Sequence, residues 1–143
     1  MPLDTEPMVS TGDKLAELRA RKAAKEAKLE EERNAAEVLR LELEERFEAE
    51  TGGPIDRTFT IVDVSDLGEG FVVMRLGDDV IWNTFKASKM NVVDTDAFVV
   101  PCVLYPSKDE YRKLAKRRAF VPERCAGALA SLYGVKIKAD QGK

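Results

Sequence analysis

The side chains of this 143-residue chain that could do chemistry are few, and their spacing assembles no familiar centre. There is no histidine, which removes His-based triads, the usual zinc sites and the commonest general base. Cys102 and Cys125 stand apart with no CxxC pattern and lie among apolar neighbours. They read as small buried hydrophobes of a reducing cytosol, and spacing gives no support to a disulfide between them. Gly68-Glu-Gly70 matches neither a P-loop nor a dinucleotide fingerprint and reads as a hairpin turn. Asp63, Asp66, Glu69, Asp78 and Asp79 gather at the hairpin ends and could offer oxygens to a hard cation. They lack the ordered spacing of an EF-hand loop, so solvated turn acids are the expectation. The residues ask for no catalytic group, no metal and no cofactor, and the chain reads as a non-enzyme.

Charge points to partners instead. Residues 105–143 carry ten bases against four acids, a balance that suits an acidic protein surface or phosphates. Within it, Lys113, Lys116, Arg117 and Arg118 fall at the end of an expected helix, where bases complement the macrodipole. Nucleic-acid binding would want interleaved aromatics, and only Tyr111 and Phe120 are near, so nucleic acid is not the expected partner. No apolar run reaches the ~18 residues of a membrane span. The opening MPLDTEPMVS is acidic and polar, unlike a signal peptide, and residues 1–12 are expected to be a disordered tail.

The element that must present these groups is a helix over residues 13–50, free of Pro and Gly and rich in Ala, Leu, Glu, Lys and Arg. At ~1.5 Å per residue it would run roughly 57 Å. Its charge is sorted by end. Residues 14–28 hold six bases against two acids, and residues 29–50 hold three bases against nine acids. That order opposes the macrodipole, which favours acids first and bases last. An antiparallel partner helix of the same kind would match basic half to acidic half, while the plainer reading is a solvated helix whose charges keep it in water. With Leu15 at position a, the coiled-coil seam reads Leu15, Lys22, Leu29, Ala36, Leu43 at a and Leu18, Lys25, Glu32, Leu39, Arg46 at d. The seam fails in its middle. Val38, Leu39, Leu41, Leu43 and Phe47 are expected to pack on the globular part, with the Ala-rich start projecting.

Thr51-Gly-Gly-Pro54 should stop this helix. Arg57–Val64 alternates, with Phe59, Ile61 and Asp63 on one face and Thr58, Thr60 and Val62 on the other, which is a strand pattern. Phe71–Leu76 is a second strand, and the two make a hairpin that needs helical cover on one face. Residues 80–89 suit a helix capped by Asp78 or Asp79, with a strand as the alternative. Residues 94–105 read as a helix that Pro101 either kinks or cuts short. Ser107-Lys-Asp-Glu110 is a capping box opening a helix over 108–118. Pro122 and Gly134 bracket another, leaving 135–143 as a polar tail. The fold class is α+β, with a long N-terminal helix, a small β-hairpin and a C-terminal cluster of short helices. The body spans 54–134.

Four stretches, Phe71-Val-Val-Met-Arg-Leu76, Trp82-Asn-Thr-Phe85, Cys102-Val-Leu-Tyr-Pro-Ser107 and Ala126-Gly-Ala-Leu-Ala-Ser-Leu-Tyr-Gly134, occur in an order that resembles the small tail assembly chaperones of tailed bacteriophages. The resemblance covers residues 57–134. It implies a non-enzymatic protein of the host cytoplasm that binds tail-tube and tape-measure proteins, keeps them soluble and helps them polymerise. The long helix departs from the usual compact form and would add self-association or a second contact. It also opens the alternative of a structural component or oligomeric adaptor that stays in the virion. The contact residues expected under this resemblance are Trp82, Phe85, Tyr105, Tyr111, Arg117, Arg118 and Tyr133, since aromatics and Arg are the enriched anchors of interfaces.

Overall fold

The computed structural model describes residues 10–88 and 92–141. The chain divides into two compact units, one ending at Val38 and one beginning at Leu39. The elements are α1 (Thr11–Thr51), β1 (Phe59–Asp63), β2 (Phe71–Arg75), α2 (Asp79–Ala87), α3 (Val92–Val99), β3 (Val103–Tyr105), α4 (Lys108–Arg117) and α5 (Phe120–Gln141).

Helix α1 starts two residues earlier than expected because Ser10 caps it. The Ser10 Oγ accepts from the Asp13 N–H at 3.1 Å, relieving one of the orphan donors of the first turn. It stops where expected: Gly52 takes φ 73°, a left-handed conformation that glycine adopts without strain. The residues before Gly52 differ from expectation. Leu43 and Phe47 are buried, but Val38, Leu39 and Leu41 are exposed. Leu43 and Phe47 are four residues apart and share one face, which Val38 and Leu41 do not; Leu39 is on that face one turn earlier and is 36% exposed. From Ser10 to Ala35 every residue is exposed.

The strands form one antiparallel sheet in the order β1-β2-β3. The hairpin register pairs Phe59 with Arg75, Ile61 with Val73 and Asp63 with Phe71, so these side chains share one face. Val62, Val64, Val72 and Met74 belong to the main core with residues of α2 to α5. The other face is buried as well: Phe59 and Val73 have no exposure, and the Phe47 ring lies 6.3 Å from Phe59. Cover on one face was expected, and the structure covers both. That explains the unbroken apolar run of β2, because a central strand with two dry faces has no place for polar alternation.

Residues 80–89 take the helical alternative over the described part, with the Asp78 carboxylate accepting from the Val80 N–H at 3.0 Å. The helix expected around Pro101 takes the short alternative. It ends at Val99, passes through a 3₁₀ turn at Val100–Cys102, and leaves Val103–Tyr105 as the third strand. Pro101 has no N–H to continue the α-ladder, and the β-branched and aromatic residues that follow satisfy the free edge of β2. The expected polar tail also differs, since α5 runs through Gly134 to Gln141. A Cβ at Gly134 would meet nothing within 4 Å, so no left-handed turn or close approach demands glycine there. Lys136, two residues on, holds Asp79 at 2.7 Å. Helix α4 opens on the Ser107 cap as expected, the hydroxyl accepting from the Glu110 N–H at 3.2 Å. Residues 1–9 of the expected disordered tail lie outside the described residues.

Truncating Phe47, 1% exposed, removes cover from the sheet, whereas truncating Leu15 at 44% exposure removes none. We expect Phe47→Ala to lower the unfolding free energy by about 3–5 kcal/mol and Leu15→Ala to change it by less than about 0.5 kcal/mol. Urea unfolding of both variants is the check, and equal midpoints would contradict the assignment.

Candidate functional site

The seven expected contact residues fall into three environments. Phe85, Tyr111 and Tyr133 are core residues, at 5%, 0% and 1% exposure. Phe85 stacks on Phe98 with ring centroids 4.1 Å apart. The Tyr133 ring stacks on Trp82 at 5.3 Å, and its hydroxyl works on backbone: it accepts from the Gly77 N–H at 3.0 Å and donates to the Asp78 carbonyl at 3.1 Å. The turn between β2 and α2 is thereby fixed to α5. Gly77 is required there, because a Cβ would sit 2.9 Å from the Cys102 sulfur and 3.3 Å from the Tyr133 oxygen. Burial pushes the Tyr133 phenol up to about 12.

Tyr111 is dry throughout, and its hydroxyl has no nitrogen or oxygen partner. Its neighbour is the Cys125 thiol, which burial pushes up to about 12; Tyr111 is raised by the same cause. Both cysteines are free and buried, and neither has the depressed pKa of a reactive thiol.

Trp82 and Tyr105 are half-buried. Trp82 packs against Phe98 at 5.8 Å as well as Tyr133, with Lys86 over its ring at 5.3 Å. Its solvent side is a shallow hollow shared with Asp79, Lys86, Lys136 and Asp140.

Arg117 and Arg118 are exposed, but both are engaged within the chain. Arg117 grips Glu69 through two parallel bonds of 2.9 and 2.8 Å, and Arg118 reaches the same carboxylate at 3.4 Å. Next to them, Arg124 holds Asp66 at 2.6 and 3.1 Å and the Asp63 carbonyl at 3.0 Å. The acids of the Ser65–Gly70 connection are thus ion-paired rather than simply solvated. The basic run is a clasp that ties this loop to α4 and α5. Hydrogen bonding to Arg117 holds the Glu69 carboxyl below its ordinary range, and bonding to Arg124 does the same for Asp66. Reading the sequence missed Asp66, Glu69 and Arg124 as partners. The signal available was the opposite sign of two short segments, without the fold that joins them.

Among the described residues no three His, Cys, Asp or Glu side chains converge on a metal-sized site, and no helix is long and apolar enough to cross a membrane. The hollows are open and modest. One of about 400 Å³ has a mixed rim of Asp96, Arg112, Lys116 and Glu123, and an apolar one of about 170 Å³ lies between α2 and α3 beside Val80. Neither gathers the convergent polar groups of a substrate site. Large apolar side chains stand exposed elsewhere: Leu15, Leu18, Leu29, Val38 and Leu41 on α1, Val80 on α2 and Phe120 at the start of α5. Among the described residues, six of the ten exposed large apolar side chains are on α1. Compared with known proteins, the chain matches no family model, no curated protein and no solved structure.

Two outcomes follow. Tyr133→Phe strands the Gly77 N–H and should cost about 1–3 kcal/mol in urea unfolding; an unchanged midpoint would deny the hydroxyl its role. The lowered carboxyl of Glu69 contributes stability that is present above its ordinary range and lost as pH falls through its folded value. Thermal unfolding of Glu69→Gln should therefore show a lower midpoint than the wild type at neutral pH and a smaller decline on acidification. Parallel pH curves would contradict the clasp.

Proposed function

We propose that this chain is a non-enzymatic assembly protein that binds other proteins, with α1 as its contact element. The phage reading makes it a tail assembly chaperone that holds tail-tube or tape-measure protein soluble before polymerisation. The observation that carries the proposal is that every residue from Ser10 to Ala35 is exposed along a capped, continuous helix that keeps Leu15, Leu18 and Leu29 in water. Isolated exposed leucines are ordinary; three on one helix that buries none of its first 25 residues favour a partner. The clasped arginines and buried tyrosines move the expected contacts away from 111–133 and towards α1, with Trp82 and Tyr105 remaining as half-exposed aromatics on the body.

The second reading, a structural component or adaptor of the particle docked by its helix, is favoured by the same exposure, since a permanent neighbour would cover it. Co-expression with the tape-measure protein separates the two. The chaperone reading expects a larger soluble tape-measure fraction and none of this chain in purified particles. Recovery of the chain with finished particles would replace it by the structural reading, and no effect on solubility together with absence from particles would reject both.

A further inference from the structure

The sign of the charge on α1 changes between Lys28 and Glu30, and Leu29, the residue at the boundary, is 50% exposed. We infer that α1 pairs with α1 of a second copy of this chain, antiparallel, with the two-fold axis at Leu29. The inference goes beyond the proposed function and does not depend on the phage reading.

The symmetry follows from the charges. A parallel copy would set the six bases of residues 14–28 beside six bases, and the nine acids of residues 29–50 beside nine acids. An antiparallel copy centred on the boundary sets each basic stretch beside the acidic stretch that begins at Glu30, and does so twice, because a two-fold interface is isologous. The same arrangement answers the helix dipoles. Within one helix the sorted charges oppose the dipole, whereas the partner's acids lie beside the positive N-terminal end and the partner's bases beside the acidic end.

The seam explains the strength expected. Leu15, Leu18 and Leu29 are apolar and exposed, but Lys22, Lys25 and Glu32 occupy the positions between and after them. Three leucines a side do not make a stable coiled coil. Attraction between exposed opposite charges has to supply much of the association, and it is screened by salt. The occupant is a second copy rather than an unrelated helix because one sequence carries both complementary stretches, joined at the residue that symmetry places against itself.

Sedimentation equilibrium of the full chain at low and high salt tests this. The expected result is a dimer at low salt that dissociates as salt rises. Lys22→Glu with Lys25→Glu should abolish the low-salt dimer while leaving the urea midpoint at high salt, where both chains are monomers, unchanged, since both side chains are exposed. Orientation is read by mild oxidation: Leu29→Cys should give a linked dimer and Leu15→Cys should not, Cys102 and Cys125 being buried. A monomer at every salt concentration, a dimer indifferent to the double substitution, or linkage at position 15 as ready as at 29 would overturn the inference.

Discussion

The body of this protein is organised by a central strand that has to be dry on both sides. Phe71 to Met74 are all buried, so the side chains pointing each way along β2 need cover. Helix α5 packs on one face, while Phe47 at the end of α1 lies against Phe59 of the other. Once both demands are met the core is complete. The buried residues of α1 are Leu43 and Phe47.

Polar contacts then hold the pieces in register. The Tyr133 hydroxyl ties the β2–α2 turn to α5, and the Arg117, Arg118 and Arg124 clasp ties the β1–β2 connection to α4 and α5. Both fasten a loop to the helices that cover the main core. Within the body Arg117, Arg118 and Arg124 are held by carboxylates, both cysteines are buried, and Tyr111 and Tyr133 are packed in the core.

Local pattern made much of this legible. Runs of helix formers, Ser and Asp caps, a Gly-Gly-Pro stop and period-two alternation identified α1, α2, α4 and the hairpin, because each is decided by its own residues. What escaped was decided by distant ones. The sequence Val103-Leu-Tyr105 becomes a strand because β2 has an open edge, which no local window contains. Helix α5 runs through Gly134, and Lys136 beyond it reaches Asp79, 57 residues earlier in the chain. Tyr111 and Arg117 look like interface residues by type, and only the fold reveals that one is core and the other is held by Glu69. The candidate site was legible in the opposite sense: the sorted charge of α1 is plain in the sequence, and the structure adds its exposure.

The claim on which the account rests is that the first part of α1 serves contact and not the fold. Ala24→Pro in the full chain tests it directly, since proline breaks an exposed helix interior by removing a ladder hydrogen bond. The account predicts an unchanged urea midpoint for the body and loss of the tape-measure solubilisation measured on co-expression. A body that unfolds earlier, or solubilisation that survives the broken helix, would contradict it.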